Sequence, residues 1–374
     1  MSTLRAALVL EQTLGHVTHS QNLGTAVSRQ TSIAATWIRV PFGVSGLERL
    51  VPAFRGNWSV RASYRARREL GRALATRRHD VLFFHTQVTA LFSVGLMRRV
   101  PSVISLDATP LNYDSVGAAY GHRAAGSGWL DERKHVMNRA AFHAASALVT
   151  WSEWARDSLV ADYGVDPERV RVIAPGAASA YFSIGERRSA LPSHGDPVRF
   201  LFVGGDFVRK GGSLLLDAVR AARTRRPFEL HVVTQGRIGS QPGVTVHNGV
   251  GPNSPELLRL FRDADAFVLP SRGECLSVVL MEAGAAGLPV ISTGVGALRE
   301  AARDRENALV VAADDGAALR AAIERLADDE DLRRRMGRAG HQLARSKFDA
   351  DRNNDVLLGL LASVARPVGV RSAA

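Results

Sequence analysis

The amino-acid sequence predicts an α/β protein made of two doubly wound, Rossmann-like domains. Short apolar runs alternate with longer segments of helical periodicity along most of the 374 residues. The alternation is lost over residues 183–197 and then restarts. Continuous apolar strands separated by helices are typical of a parallel sheet that helices cover on both faces. A chain of this length also exceeds one ordinary core and suits two domains.

The first predicted domain spans residues 1–185. Its strands are predicted over residues 4–11, 80–86, 101–109, 145–152 and 169–176. Helices are predicted between the strands, and the clearest cover residues 59–78 and 152–164. In the latter helix, Ser152 suits the N-cap and Gly164 suits the C-terminal stop.

The second predicted domain spans residues 186–350. Its strands are predicted over residues 197–205, 228–236, 244–250, 265–271 and 288–294. The intervening helices include residues 213–226 and 254–264, and the second of these begins with a favourable N-cap and first position, Ser254 and Pro255.

Composition excludes several classes of protein. Hydrophobic residues make up 46% of the chain and charged residues 22%, as in a packed globular protein. The single cysteine, Cys275, excludes a disulfide framework and a cysteine-based zinc site. The apolar run at residues 6–10 is too short for a secretory core, and no stretch approaches the ~20 apolar residues of a membrane helix. We therefore expect a cytoplasmic protein without a metal.

The formal net charge of +12 comes almost entirely from arginine. Genome composition alone accounts for such a bias, but the alternative is attraction to an anionic partner. The densest basic stretch, residues 60–80, reads as a helix with arginines around much of its surface. No aromatic platform or nucleic-acid module accompanies it, so nucleic acid is not an expected partner. Peripheral contact with an anionic membrane, at its inner face, stays open.

The first motif is "FVGGDFVRKGG", in which a strand, a glycine-rich turn and a helix follow one another. Gly204 and Gly205 end the strand, and Arg209 with Lys210 precedes the helix. Glycines let the backbone approach a ligand, and two adjacent cations can neutralise a diphosphate. The alternative is an ordinary turn with solvated basic side chains. The spacing matches neither a P-loop nor the dinucleotide fingerprint.

The second motif is a pair of glutamates, Glu274 and Glu282, with seven residues between them. Glu274 lies in a predicted loop after a strand, and the following helix is predicted to begin near Cys275 to Ser277. Free N–H groups in its first turn could bind a phosphate. The carboxylates suit hydroxyl pairs of a sugar and a ribose. Alternatively, Glu274 is solvated and Glu282 bonds a backbone or arginine group.

These motifs, together with "SEWARDSLVADYGVDPERVRVIAPG", resemble the retaining glycosyltransferases of family 4, which have the GT-B fold. The resemblance is good over residues 145–350 and faint over the first 140. It implies two Rossmann-like domains with an interdomain cleft. It also implies metal-independent sugar transfer from a nucleotide-diphosphate sugar, without a cofactor, to a carbohydrate or lipid-linked glycan in cell-envelope polysaccharide synthesis.

The resemblance also assigns roles to the residues that bind the donor. Glu274 would hold the donor-sugar hydroxyls, and Glu282 would hold the ribose. Arg209 and Lys210 would neutralise the diphosphate, although this sequence has Asp206 where many members have an arginine.

The amides near Leu276 and Ser277 would, by the same resemblance, contact phosphate or sugar. The sequence shows no obvious nucleophile of the enzyme's own. Front-face attack, with the leaving phosphate taking the acceptor proton, is therefore the mechanism expected from the family.

The first domain would receive the acceptor. The family's glycine-rich loop after the first strand is represented here by Gly15 beside His16. The family's catalytic histidine after a central strand corresponds to Asp107 or to His85, and the sequence does not choose between them. Either could instead be an ordinary cap or turn residue. The last segment, residues 351–374, is expected to be a helix that returns to the first domain.

Two other classes of function are kept open. One is a non-catalytic nucleotide-sugar-binding or scaffold protein of a polysaccharide pathway. The other is a GT-B sugar phosphorylase or nucleotide-sugar epimerase. Asp263 and Asp265 superficially match a metal-binding DxD motif, but they precede a strand and read as helix-end residues.

Overall fold

The computed structural model describes residues 3–13, 15–44, 46–50, 54–55, 57–122, 128–190, 195 and 197–365. The chain divides into two compact units. Unit 1 comprises Met1–Leu111, Ala125–Ile173 and Arg352–Ala374, and unit 2 comprises Asn112–Ala124 and Ala174–Asp351.

Unit 1 is a six-stranded parallel sheet covered by helices on both faces. Its strands pair in the order β2-β1-β3-β4-β5-β6, and they are β1 (Leu4–Gln12), β2 (Ile33–Pro41), β3 (Val81–His85), β4 (Ser102–Leu106), β5 (Ala147–Thr150) and β6 (Val170–Val172). Its helices are α1 (His16–Ser28), α2 (Trp58–Thr76), α3 (Val94–Met97), α5 (Trp129–Ala144), α6 (Glu153–Ala161) and, from the end of the chain, α14 (Ala350–Ala365). Short 3₁₀ helices cover Gly46–Leu50, Gln87–Thr89, Leu91–Ser93 and Pro167–Arg169. The remaining helix of this half of the chain, α4 (Pro110–Val116), continues into a 3₁₀ turn at Gly117–Tyr120.

Each face of the unit 1 sheet carries its own apolar core. On one face, Leu70 of α2 and Phe142 of α5 are fully buried. On the other face, α14 contributes Leu357, Leu358 and Leu361, which are spaced as one helical stripe and are buried against β1 and β3. The C-terminal helix thus belongs to unit 1 because its apolar stripe completes that core.

Unit 2 is also a six-stranded parallel sheet between helices. Its strands pair in the order β12-β11-β10-β7-β8-β9, and they are β7 (Val198–Val203), β8 (Phe228–Val233), β9 (Val244–His247), β10 (Ala266–Leu269), β11 (Val290–Thr293) and β12 (Ala308–Val311). Its helices are α7 (Ser179–Ala190), α8 (Gly212–Ala221), α9 (Pro255–Asp263), α10 (Val278–Ala285), α11 (Leu298–Ala301), α12 (Gly316–Asp328) and α13 (Glu330–Lys347). The predicted α/β class with two doubly wound sheets is confirmed.

All eight residues of α10 are buried, which fits a sequence that is apolar apart from Glu282. The helix packs against α7 and α13. The crossing with α13 is close at Gly284, where an added Cβ would lie 3.2 Å from the carbonyl oxygen of Gly340. Two glycines therefore let α10 sit at the centre of unit 2.

The predicted boundary at residue 185 assigns two segments to the first domain that the structure groups with unit 2. Helix α7 groups with unit 2, because it packs against α9, α10 and α13. Residues 112–124, which the sequence places inside the first domain, also group with unit 2. The predicted helix caps at Ser152 and Ser254 each accept a hydrogen bond from the backbone three residues on.

Candidate functional site

The two motifs of unit 2 meet because their strands are neighbours. Strand β7 pairs with β10 in parallel, so the loops after both strands leave the same edge of the sheet. The loop after β7 carries Arg209 and Lys210, and the loop after β10 carries Glu274. A backbone hydrogen bond connects the two loops: the N–H of Arg272 donates to the carbonyl oxygen of Arg209 over 2.9 Å.

Arg209 is held by groups on three sides. Its Nε donates to Oδ2 of Asp206 over 3.1 Å. Its Nη1 donates to the carbonyl oxygen of Gly273 over 2.7 Å and to Oε1 of Glu274 over 3.0 Å. The Cζ atom of the guanidinium lies over the Tyr120 ring, 4.3 Å from the ring centroid. With a side chain only 4% exposed, Arg209 is a buried, oriented charge rather than a solvated one.

Lys210 and Arg209 converge on one carboxylate oxygen. The Nζ of Lys210 lies 3.1 Å from Oε1 of Glu274, the same atom that Arg209 contacts. Burial opposes ionisation of Glu274, but the charges of Lys210 and then Arg209 outweigh it and lower the pKa of that carboxyl. Glu274 is thus a charged group in a buried setting, which is stable only because it is paired.

Glu282 occupies a different environment. It is buried within α10, and burial raises its pKa to about 8 despite the opposing charge of Lys210. Its neighbour Tyr181 is also buried, and burial followed by the nearby Glu282 raises the pKa of that phenol. Near neutral pH, Glu282 therefore carries a proton that a more solvated glutamate would lose.

Glycines make room for both loops. An added Cβ at Gly204 would lie 2.7 Å from Cδ of Lys210, whereas Gly205 faces open space. Gly211 has a φ of 78°, and an added Cβ would lie 2.0 Å from the carbonyl oxygen of Pro270. Gly296 has a φ of 54°, and an added Cβ would lie 1.9 Å from the carbonyl oxygen of Glu274. The close approach of backbone to Glu274 therefore depends on glycine.

The helix that follows Glu274 begins later than the predicted start near Cys275 to Ser277. Its first residue is Val278, and its N-cap is Ser277, whose side chain makes no capping hydrogen bond. Leu276 and Ser277 are both buried, at 5% and 4% exposure. The first-turn N–H groups of a helix have no intrahelical partner, so this end offers donors to an anion.

Unit 1 brings together the candidate residues at its own sheet edge. Strands β1, β3 and β4 are neighbours, and their ends carry Gly15 and His16, His85, and Asp107 respectively. Nδ1 of His16 lies 2.8 Å from Nε2 of His85, and Nε2 of His16 lies 3.8 Å from Oδ2 of Asp107. Gly15 is the N-cap of α1, which directs His16 toward this cluster.

His85 and Asp107 differ in exposure and in proton affinity. His85 is fully buried, and burial followed by the neighbouring His16 and His19 holds its pKa well below the ordinary value. Burial raises the pKa of Asp107, although its side chain is 22% exposed. His85 is therefore a neutral partner behind His16, whereas Asp107 reaches the surface.

Several neighbours of these residues have no local signal in the sequence. Glu11 accepts a hydrogen bond from Oγ1 of Thr86 over 2.6 Å. The Trp151 ring stacks on His85 with centroids 5.1 Å apart, and the His19 ring lies 4.8 Å from His85. In unit 2, Tyr120 reaches Arg209 although the two lie 89 positions apart in the chain. Only the tertiary fold makes them neighbours.

The described part of the chain lacks two kinds of feature. Within it, no group of three or more histidine, cysteine, aspartate or glutamate residues could hold a metal ion. None of its helices is both long and apolar enough to cross a membrane.

Two family models match the chain, one in each half. The model described as "Glycosyl transferase 4-like domain" matches residues 16–176, and "Glycosyl transferases group 1" matches residues 197–329.

A D-inositol 3-phosphate glycosyltransferase from Corynebacterium diphtheriae is 30% identical over 282 residues, which are 70% of this chain and 65% of that protein. A glycogen synthase from Mycobacterium tuberculosis is 30% identical over 287 residues, which are 73% of this chain and 66% of that protein. A D-inositol 3-phosphate glycosyltransferase from Pseudarthrobacter chlorophenolicus is 32% identical over 224 residues, which are 55% of this chain and 53% of that protein. The matched region thus spans between half and two thirds of these relatives.

Solved structures share the fold along nearly the whole chain. Sucrose-phosphate synthase from Thermosynechococcus elongatus superposes with a TM-score of 0.69 at 18% identity, covering 96% of this chain and 99% of that one. HepE from Anabaena, solved with UDP and glucose, superposes with a TM-score of 0.67 at 14% identity, covering 96% and 100%. At these identities the likeness establishes the GT-B fold. Taken with the two family models, it shows that the chain belongs to the group 1, family 4-type glycosyltransferases of the GT-B fold.

Proposed function

We propose that this protein is a retaining glycosyltransferase that binds a nucleotide-diphosphate sugar in unit 2. The observation that carries the proposal is the convergence of Arg209 and Lys210 on Oε1 of Glu274, at 3.0 and 3.1 Å. Arg209, Lys210 and Glu274 together carry one net positive charge, which suits a diphosphate, while the half-exposed Asp206 also pairs with Arg209. The family relatives are named as glycosyltransferases, and HepE was solved with UDP, which supports this choice of ligand class.

The proposed chemistry begins with departure of the nucleoside diphosphate through an oxocarbenium-like state. Lys210, Arg209 and the N–H groups at the start of α10 stabilise the negative charge that develops on the leaving group. Losing one such preoriented contact typically slows a reaction by about 10²–10³-fold. Glu274 then holds hydroxyls of the donor sugar, and Glu282 holds those of the ribose.

Retention is proposed to follow from front-face attack, in which the leaving phosphate takes the proton of the acceptor hydroxyl. The bond from the anomeric carbon to the phosphate oxygen breaks, and a bond from that carbon to the acceptor oxygen forms on the same face. The cationic side chains supply the countercharge that a metal ion supplies in other transferases, so we propose that transfer is metal-independent and needs no cofactor.

Two observations on the acceptor side of unit 1 support a choice between His85 and Asp107. His85 is fully buried, so we propose that it only orients His16. We propose that Asp107 takes the role of the family's catalytic histidine, because its side chain is 22% exposed and lies beside His16. The acceptor is proposed to be a carbohydrate or lipid-linked glycan of cell-envelope polysaccharide synthesis.

The proposal is tested with a panel of nucleotide sugars, including UDP-glucose, UDP-N-acetylglucosamine and GDP-mannose. Each is screened for a rise in thermal stability, because a ligand of the native state stabilises it by RT ln(1 + [L]/Kd). The best donor is then assayed for transfer or hydrolysis with the anomeric configuration of the product read by NMR. An inverted product would contradict retention. Donor binding without any turnover would favour the non-catalytic alternative, and turnover that requires inorganic phosphate would favour a phosphorylase.

Peripheral contact with an anionic membrane at the cytoplasmic face is proposed from helix α5. Its exposed surface carries Trp129, Leu130, Val136 and Met137, which are 66%, 63%, 54% and 39% exposed. At these spacings the four side chains form one stripe along the helix. The guanidinium of Arg133 lies 5.5 Å from the Trp129 ring, within the stripe. Apolar and aromatic side chains interspersed with cations are typical of helices that lie in a membrane interface.

Vesicle sedimentation tests this contact. The protein is expected to bind vesicles containing phosphatidylglycerol and not pure phosphatidylcholine, and the double variant Trp129→Ser, Leu130→Ser is expected to lose most binding. Val356→Ser, which removes an apolar side chain 53% exposed on α14, is the matched control. Equal binding by the double variant would contradict the assignment, and a shift from dimer to monomer in that variant would assign the stripe to a second copy.

A further inference from the structure

A segment of the first half of the chain packs on the loop of unit 2 that carries Gly273 and Glu274. We call residues Asn112–His122 the strap. It follows β4 in sequence, yet it groups with unit 2. An added Cβ at Gly273 would lie 2.6 Å from Cβ of Ala119 and 2.8 Å from the carbonyl oxygen of Val116. The residue before Glu274 is therefore in contact with the strap and has room for no side chain.

The strap has an ordered structure of its own. The Tyr113 ring packs against the Tyr120 ring with centroids 5.1 Å apart and against the His122 ring at 5.2 Å. Nε2 of His122 lies 2.6 Å from Oδ1 of Asp114. An added Cβ at Gly117 would lie 2.7 Å from Cδ2 of His122, so the turn closes tightly. These contacts present Tyr120 in a defined position.

The Tyr120 ring contacts the Arg209 guanidinium, whose Cζ atom lies over the ring 4.3 Å from its centroid. The edges of the same guanidinium contact Asp206, Gly273 and Glu274. These hydrogen bonds fix where the guanidinium nitrogens lie, and the ring fills the space into which the guanidinium would otherwise move. An arginine otherwise loses considerable rotamer freedom when it becomes ordered.

We propose that Tyr120 is a positioning residue of the donor site, which holds Arg209 in the orientation that pairs with Glu274 and receives a diphosphate. This inference rests on the proposed function for the identity of the ligand. The contribution comes from the aromatic face, because a ring quadrupole attracts a guanidinium stacked on it. The strap thus preorganises the diphosphate site before the ligand arrives.

The test compares Tyr120→Phe with Tyr120→Leu. Affinities for UDP, GDP and ADP are measured by calorimetry, together with the thermal midpoint of the free protein. The wild type is expected to bind at least one of these diphosphates. Tyr120→Phe keeps the ring and is expected to bind within about twofold of wild type, whereas Tyr120→Leu is expected to bind about 3- to 30-fold more weakly. Tyr64→Leu, at a tyrosine 44% exposed on α2, is the control for loss of a tyrosine elsewhere.

Each outcome has a distinct meaning. If the wild type binds no nucleoside diphosphate, the proposed function fails. If the wild type binds and Tyr120→Leu binds equally well, the positioning role fails while the proposed function stands. Equal weakening in the Phe and Leu variants would assign the effect to the hydroxyl and overturn the role of the ring. Should Tyr120→Leu not fold, Gly273→Ala displaces the strap from the opposite side and is expected to weaken diphosphate binding, and unchanged affinity there would overturn the inference.

Discussion

Replacing Glu282 by glutamine should stabilise the protein, and the gain should grow as the pH rises. The carboxyl is buried in α10, and burial raises its pKa from 4.5 to about 8. The native state thus binds this proton more tightly than the unfolded state does. Below pH 4.5 the carboxyl is protonated in both states, so it does not lower the free energy of unfolding. That free energy falls as the pH rises from 4.5 to about 8, because only the unfolded state releases the proton there. Glutamine keeps the shape and hydrogen-bonding capacity but has no proton to lose.

The magnitude follows from the width of that window. Between the two pKa values the free energy of unfolding falls by about 1.4 kcal/mol per pH unit from this group. The difference between variant and wild type should therefore increase by about 2–3 kcal/mol between about pH 5 and about pH 7.5. Other titrating groups are shared by both proteins, so they cancel in the difference.

Urea denaturation at a series of pH values measures this difference directly. Glu69→Gln is the matched control, because that carboxylate is 48% exposed on the surface of α2. A difference between Glu282→Gln and wild type that stays flat across the window would refute the account of Glu282 as a buried carboxyl that keeps its proton. The variant should also bind nucleotide sugar more weakly, if Glu282 holds the ribose as proposed.

Four further predictions concern the site. Lys210→Ala should reduce transfer by about 10²–10³-fold, and wild-type rates in a steady-state assay would remove the residue from the site. Asp107→Asn should slow transfer while leaving the calorimetric affinity for the nucleoside diphosphate unchanged; a matching loss of affinity would place Asp107 in diphosphate binding instead. Gly296→Ala should destabilise the fold by about 1–3 kcal/mol in urea and weaken diphosphate binding, since a side chain there needs a strained backbone and collides with Glu274; wild-type stability would contradict this packing. Transfer should persist in excess chelator, and complete loss restored by a divalent cation would overturn metal independence.

Local sequence patterns predict ten of the twelve strands that the structure describes and most of the strand–helix order, but they miss β2 and β12. Buried strands such as β7 and β10 are continuous apolar runs, and helix starts such as those after Ser152 and Ser254 carry capping residues. These signals are local, because strand burial and helix capping depend on residues a few positions apart. Helix α10 was placed less well, because its flanking residues, Cys275 to Ser277, are as apolar or as small as the helix itself.

The sequence also predicts part of the arrangement of the candidate donor residues. Gly204, Gly205, Arg209 and Lys210 follow one strand and Glu274 follows another, and parallel strands end at one edge of a sheet. The sequence does not predict that both cations pair with one oxygen of Glu274. That pairing requires β7 and β10 to be neighbours in the sheet, although β8 and β9 lie between them in sequence. The family models agree with the resemblance that the motifs carry.

The sequence by itself determined the α/β class, the two sheets, the family and the presence of a cation–carboxylate motif, since each rests on residues close together in the chain. Only the tertiary structure decided that Tyr120 stacks on Arg209, that His16 joins His85 to Asp107, and that Glu282 retains its proton. Those outcomes depend on burial and on contacts between segments tens of residues apart. Neither quantity is encoded in local periodicity or spacing; both arise when the strands adopt their order and the helices close over them.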